Sequence, residues 1–310
     1  MKAAAPGKLV LSGAYAVLFG APAVVTAVDR YVVADSEAPA AFITPEVRAA
    51  LGDVPAPAFD ASALRDGDRK LGLGSSAAIL VASLAALALD RDAALTDAAL
   101  AAQVFERARL AHRSAQGGGS GIDVAAAAYG GTLIAHLQGH ALAIEHGSLP
   151  STLCIEAWFS GDSSSTPDMV RSVRALAETD AAAFEELMGA QTAAAHQAVA
   201  TLAAGNGAGL VAALDAQVDA LHSLGQAAGV PIITPSVLAL RDASRSQGGT
   251  TLASGAGGGD SVLYVGNSPP SPALVELRDN FGYRPLALRL EARGVHAITG
   301  SDCDPNLSAP

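Results

Sequence analysis

KLGLGSSAAIL, residues 70–80, sets a lysine, two glycines and a pair of serines directly against an apolar run. Two arrangements need that order. One is an ordinary turn before a helix capped by Ser75 or Ser76. The other is a helix start that holds an anion, where unpaired N–H groups and the positive end of the helix dipole face the ligand. The run from Ala77 to Leu89 has Leu80, Leu84 and Leu87 at spacings of four and three, with apolar neighbours on the other faces. That pattern predicts a buried helix. A turn needs one or two special residues, whereas this loop has two glycines, two hydroxyls and an adjacent lysine. Gly72-Leu73-Gly74-Ser75-Ser76-Ala77 also matches the dinucleotide fingerprint formally, but ALRDGDRK before it is no hydrophobic strand, so a dinucleotide-binding reading fails on context. The sequence contains no Walker A lysine motif, nucleophile elbow or zincin motif.

Lysine usage sharpens the question. Of 19 basic residues only Lys2, Lys8 and Lys70 are lysine. Lys8 follows Pro6-Gly7, and Lys70 immediately precedes the glycines. A compact ammonium suits a phosphate at close range better than a planar guanidinium does. The net charge of −11 argues against a broad basic footprint for nucleic acid or anionic membrane, and leaves room for a small anion in a locally basic pocket. Cys154 and Cys303, far apart, suggest neither a disulfide framework nor a zinc site, and a reducing cytoplasmic setting fits best. No apolar run is long enough to span a bilayer. Lys2 and Lys8 with LVLSGAYAVLFG and Ala21-Pro22-Ala23 imitate a signal peptide, which the other features oppose.

At 310 residues the chain predicts two domains, 1–150 and 151–310, meeting near the Ser-Leu-Pro-Ser turn. Short strands are expected over 8–33, loop with a short helix over 37–69, and a helix over 96–115 with Leu100, Val104, Ala108 and Ala111 on one face. Asp123 opens a short alanine helix; the strands TLIAHL, ALAIEH and LCIEAWFSG follow. Helices fill most of 167–226 and 237–246, and the strands SVLYVG and LALRLEA lie near the end. The class is α+β.

Two further loops are glycine-rich: 116–121, leading to Asp123, and 254–260, SGAGGGD. Asp123 reads either as a helix N-cap or as a carboxylate on a rigid helix start, able to reach a substrate hydroxyl as general base. The stretch 163–168, SSSTPD, with Ser165 and Thr166, is a capped helix start or a second anion site near Arg171 and Arg174. Three glycine-rich loops together favour backbone lining a nucleotide and its phosphates.

These segments resemble the GHMP kinase superfamily in order: PGKLVLSGAYAVLFGAPAVVTAVDR at 6–30, GLGSSAA at 72–78 and SGAGGGD at 254–260. Within it the likeness is to the phosphomevalonate kinase branch, carried by Lys70, by AHRSAQGGGSGIDVAAAAYGG at 111–131, by SSSTPDMV at 163–170 and by GYRPLAL at 282–288. His112 stands where mevalonate kinases usually carry a Glu. Ala14 stands where the family usually has an acid, and Tyr31 to Leu71 is short for the branch.

The resemblance implies an N-terminal domain like domain 2 of ribosomal protein S5 and a ferredoxin-like C-terminal domain. It implies transfer of the ATP γ-phosphoryl group, with Mg²⁺, to mevalonate 5-phosphate in the mevalonate pathway of isoprenoid biosynthesis. Matched residue by residue, Asp123, Lys8 and Lys70 are the catalytic positions. Gly72, Leu73, Gly74, Ser75, Ser76 and Ala77 cradle the triphosphate, with Ser76 also on Mg²⁺. Lys8, Tyr15, Ser120, Gly121, Ser165, Thr166, Ser254, Gly255 and Ala256 fall at acceptor-binding positions. A monomer or homodimer is expected. Another GHMP kinase acting on mevalonate or a sugar, and a catalytically silent ATP-binding regulatory protein, are the competing readings.

Overall fold

The computed structural model describes residues 1–139, 141–161, 166–258 and 261–299. Strand β1 (Lys2–Ser12) and the long β2 (Pro22–Pro39) pair antiparallel from Lys2↔Asp35 to Ser12↔Val24. The stretch that looks like a signal peptide therefore forms β1, a short helical turn over Ala16–Phe19 and the start of β2. Helix α1 (Pro45–Leu51) begins at Thr44-Pro45, where the threonine hydroxyl accepts from the Val47 N–H at 3.3 Å and proline fills the first helical position. It is the short helix expected in this region. The segment also yields β3 (Pro57–Asp60), which pairs with the C-terminal half of β2, and a tight hairpin of β4 (Arg65–Asp66) and β5 (Arg69–Lys70).

Helix α2 (Ser75–Arg91) packs on β1 and β2. Leu80, Val81 and Leu89 are fully buried, and each such side chain contributes roughly 1.5–3 kcal/mol. That burial fixes the helix start in space. Helix α3 (Asp97–Ala115) is capped by Thr96 and buries Leu100, Val104, Ala108 and Ala111, the face the spacing predicted. Helix α4 (Ile122–Tyr129) leads into the β6 (Thr132–Gln138) and β7 (Ala141–Gly147) hairpin. The first sheet runs β12-β1-β2-β6-β7, where β12 (His296–Ile298) is the last described strand of the chain.

The second sheet uses β8 (Cys154–Phe159), β9 (Thr250–Ala253), β10 (Ser261–Gly266) and β11 (Arg284–Leu286) in the antiparallel order β11-β8-β10-β9. Helices α5 (Thr166–Thr179), α6 (Ala181–Ala203), α7 (Gly207–Ala228) and α8 (Pro235–Arg245) connect β8 to β9, and α9 (Pro272–Asn280) connects β10 to β11. This is the ferredoxin-like order, the first crossover being enlarged to four helices. LALRLEA, read as a strand, is strand only up to Leu286; beyond it Leu290 and Arg293 make single bridges to Val28 and Gly130. The chain thus returns to the first sheet after completing the second. We propose the domain division near residue 150, with this C-terminal return attached to the N-terminal unit.

Candidate active site

The site is built on the start of α2. Gly72 and Gly74 have φ of 72° and 75°, and Gly74 is the residue immediately before the helix, with no side chain capping it. The serines expected as caps are instead the first two helical residues, because the left-handed turn at Gly74 carries them past the cap position. First-turn N–H groups of such a helix lack intrahelical acceptors, and the dipole adds positive potential there. Lys8 on β1 closes one side: its backbone N–H donates to Leu73 O at 2.9 Å and its Nζ to Gly72 O at 3.2 Å. Its methylene stem lies over Gly74, where a Cβ would stand 2.9 Å from Lys8 Cγ. Lys70 is exposed on the β4–β5 hairpin. Arg69 beside it donates to Gly161 O at 2.7 Å.

Asp123 is the second residue of α4, which follows Gly121 in left-handed geometry. The simple N-cap reading therefore gives way to a carboxylate inside the first turn. Its Oδ1 accepts from the Val124 N–H at 2.9 Å and its Oδ2 lies 3.3 Å from His112 Nε2. The same imidazole nitrogen is 3.3 Å from Ser76 Oγ and 3.1 Å from Gln116 Nε2. Gln116 Nε2 reaches Glu46 Oε1 at 3.2 Å and Ser76 Oγ at 3.4 Å. Four helices thus converge on one polar network. Its protonation is constrained: where the Gln116 amide donates to Nε2, the neutral ring carries its proton on Nδ1, and the Asp123 contact becomes an ion pair only on protonation.

The third glycine loop is tied to β1 and to the residue before the first loop. Val10 N–H donates to Ser254 Oγ at 3.0 Å, and Ser261 Oγ to Leu71 O at 2.5 Å. Tyr15 sits at φ 61°, ψ −53°, a three-residue turn closed by Ala16 N–H on Ala14 O at 2.7 Å. Such a conformation costs about 1–3 kcal/mol and needs support. The Tyr15 hydroxyl provides some by donating to Ala256 O at 2.5 Å, and burial raises its pKa so that it stays a neutral donor. A Cβ on Gly257 would stand 2.1 Å from Ile232 O, so only glycine fits there. Ala14 brings no acid; its carbonyl accepts from Gln191 Nε2 at 3.2 Å.

All of this borders one cleft of about 900 Å³. Lys8, Lys70, Asp123 and the run from Gly72 to Ser76 line it, as do Tyr15, Ser120, Gly121, Ser254, Gly255 and Ala256. Ala77 does not: its side chain is fully buried in the core, leaving only its N–H for a ligand. Thr166 begins α5, and its side chain falls outside what the structure describes; Val170 of that helix lines the cleft. Ser165, Gly259 and Asp260 fall outside the described residues.

Glu46, Gln116, Arg65 and Arg69 also line the cleft and were not expected there, and His112, noted only as a mark of the phosphomevalonate kinase branch, joins them. The i,i+4 spacing of His112 and Gln116 was a usable signal; Glu46 lay in a stretch read chiefly as loop. Four bases, Lys8, Arg65, Arg69 and Lys70, face three acids, Glu46, Asp68 and Asp123, so the cleft is locally basic in an acidic chain. Among the described residues no group of three or more His, Cys, Asp or Glu could cage a metal. A Mg²⁺ carried by nucleotide phosphates needs only one or two protein oxygens, and the Ser76 hydroxyl beside the open helix start fits that demand. No described helix is long and apolar enough to cross a membrane.

Residues 45–131 match the family described as GHMP kinases N terminal domain. The chain is 27% identical, over 94% of its length and 97% of the relative's, to phosphomevalonate kinase of Streptomyces sp. strain CL190. Its fold is that of a Lin0012 protein from Listeria innocua, at a TM-score of 0.81 and 22% identity, covering 96% of this chain and 99% of that one. It is likewise that of Streptococcus pneumoniae phosphomevalonate kinase in complex with phosphomevalonate and AMPPNP, at a TM-score of 0.76 and 18% identity, covering 94% and 99%.

Proposed function

We propose that this chain, a phosphotransferase carrying a GHMP kinase N-terminal domain on a GHMP kinase fold, transfers the γ-phosphoryl group of ATP to the phosphate of mevalonate 5-phosphate, giving mevalonate 5-diphosphate and ADP. The observation that carries the reading is the convergence of Lys8, Lys70, Ser76 and Asp123 on one cleft at the uncapped start of α2. The choice of acceptor draws support from the Streptomyces relative.

An oxygen of the acceptor phosphate attacks the γ-phosphorus while the bond from that phosphorus to the β,γ-bridging oxygen breaks, its electrons leaving with ADP. The acceptor is already anionic at neutral pH, so the main obstacle is bringing two anions together. Preorganised positive groups are where phosphoryl transfer gains most. First-turn N–H groups of α2 hold the nucleotide phosphates. Lys8 and Lys70, both lining the cleft, neutralise the transferred group. Asp123 orients the acceptor and takes any residual proton. Ser76 would hold the Mg²⁺ that accompanies ATP, and that ion would supply further charge neutralisation. Tyr15, Ser120, Gly121 and the Ser254–Ala256 segment shape the acceptor's end of the cleft, and Arg65 and Arg69 extend its basic rim. We place the reaction in the cytoplasm. The missing acid at Ala14 favours one competitor, a silent ATP-binding protein.

ADP release measured with mevalonate 5-phosphate, mevalonate, galactose and homoserine as acceptors tests the reading. Turnover with mevalonate 5-phosphate alone is expected. Turnover only with another acceptor overturns the assignment of substrate, and ATP binding without turnover supports the silent competitor.

A further inference from the structure

Glu46 is the least explained charge in the cleft. It lies in the first turn of α1, where a carboxylate gains modestly from the helix dipole, and that would account for an exposed side chain. Glu46 is only 8% exposed, however, and its carboxylate reaches across to Gln116, on a different helix. Among the described residues no Lys, Arg or His nitrogen comes within 4 Å of it. Its one hydrogen-bond donor is the neutral Gln116 amide at 3.2 Å. A buried carboxylate with so little compensation is costly unless a cation joins it. The Gln116 amide that contacts it also stands 3.4 Å from Ser76 Oγ. Carboxylate and hydroxyl therefore face one point, which the amide NH₂ now occupies, at the mouth of the uncapped α2.

We infer that Glu46 is the carboxylate ligand of the divalent cation that accompanies the nucleotide, sharing that ion with Ser76, and that Gln116 holds the two oxygens in place and swings aside when the ion enters. The inference rests on the reading that this cleft binds ATP. Two protein oxygens with the remaining positions taken by phosphate oxygens and water is the usual composition of a nucleotide Mg²⁺ site. A carboxylate delivered by α1 also gives that short helix a reason to be pinned against α3.

Mn²⁺ binding to the protein–AMPPNP complex, followed by electron paramagnetic resonance, tests it, with AMPPNP affinity in EDTA measured alongside. Glu46→Gln is expected to weaken Mn²⁺ binding tenfold or more while metal-free AMPPNP affinity and circular dichroism stay within twofold of the parent. Gln116→Leu, which removes the placeholder and leaves the ligand, is expected to change Mn²⁺ affinity less than threefold. Glu46→Asp, should the glutamine variant not fold, is expected to show an intermediate loss. Mn²⁺ affinity within twofold of the parent in Glu46→Gln overturns the assignment, as does an equal loss in Gln116→Leu, which would mark Glu46 as structural. A parent protein that binds no AMPPNP would overturn the kinase reading itself.

Discussion

His112 Nε2 stands 3.3 Å from Asp123 Oδ2 and 3.3 Å from Ser76 Oγ, so one buried imidazole joins the start of α4 to the uncapped start of α2. The Asp123 carboxylate and the glycine loop, to which we assign acceptor and nucleotide binding, are thereby held in fixed relation. His112 is a positioning residue. Replacing it with Leu is expected to lower kcat by about tenfold, the effect of a misplaced reacting geometry, while KM for ATP changes less than threefold. In the His112→Leu/Asp123→Ala double variant the losses should be strongly non-additive, because the two act as a unit. Steady-state kinetics of the four proteins provide the check; full additivity would separate the two residues.

Asp123→Ala should lower kcat by on the order of 10² to 10⁴, the range for a positioned acid–base group. Single-turnover rates with saturating ATP are the measurement. An unchanged rate removes Asp123 from the chemistry.

Gly74→Ala combines two penalties, because φ is 75° and the new Cβ would meet Lys8 Cγ at 2.9 Å. Left-handed backbone alone costs an L-residue about 1–2 kcal/mol. Gly20→Ala, at φ 92° with nothing within 4 Å of the added carbon, supplies that penalty without the crowding. Both variants should melt at a lower temperature, and only Gly74→Ala should also lose AMPPNP affinity.

Outside the cleft lining, burial alone would raise the Asp215 carboxyl, but hydrogen bonds from Arg241, Arg245 and Thr250 outweigh it and bring the pKa from its ordinary 3.8 down to about 2. A depressed carboxyl stabilises the fold fully above the unfolded value and loses that contribution as pH falls from 3.8 towards 2. The linked free energy is on the order of 2 kcal/mol. In urea unfolding, Asp215→Asn should be less stable than the parent at pH 6, and the gap should narrow below pH 3. A gap independent of pH would contradict the linkage.

The glycine loop before a buried α2 was legible because its signals are local: two glycines, a scarce lysine beside them and an apolar run after them. Thr96 announced α3 for the same reason. Convergence was not legible. Glu46 and Gln116 are 70 residues apart, and only the packing of α1 against α3 brings them together. Ser75 and Ser76 looked like caps because the sequence does not say that Gly74 takes the left-handed turn before them. The return of β12 to β1 pairs the two ends of the described chain, and LALRLEA was misread beyond Leu286 because an alternating pattern does not show that Leu290 makes only a single bridge, to Val28. Tyr15 offered no sign of its strained turn, since the residue that steadies it, Ala256, lies in a distant loop.

Phosphorus nuclear magnetic resonance of the products formed from ATP and mevalonate 5-phosphate tests the central claim most directly, because it reads which oxygen receives the phosphoryl group. The account predicts coupled diphosphate resonances of mevalonate 5-diphosphate appearing in step with those of ADP. Phosphate appearing as a second, uncoupled monoester on the acceptor, or ADP forming with only inorganic phosphate, would contradict it.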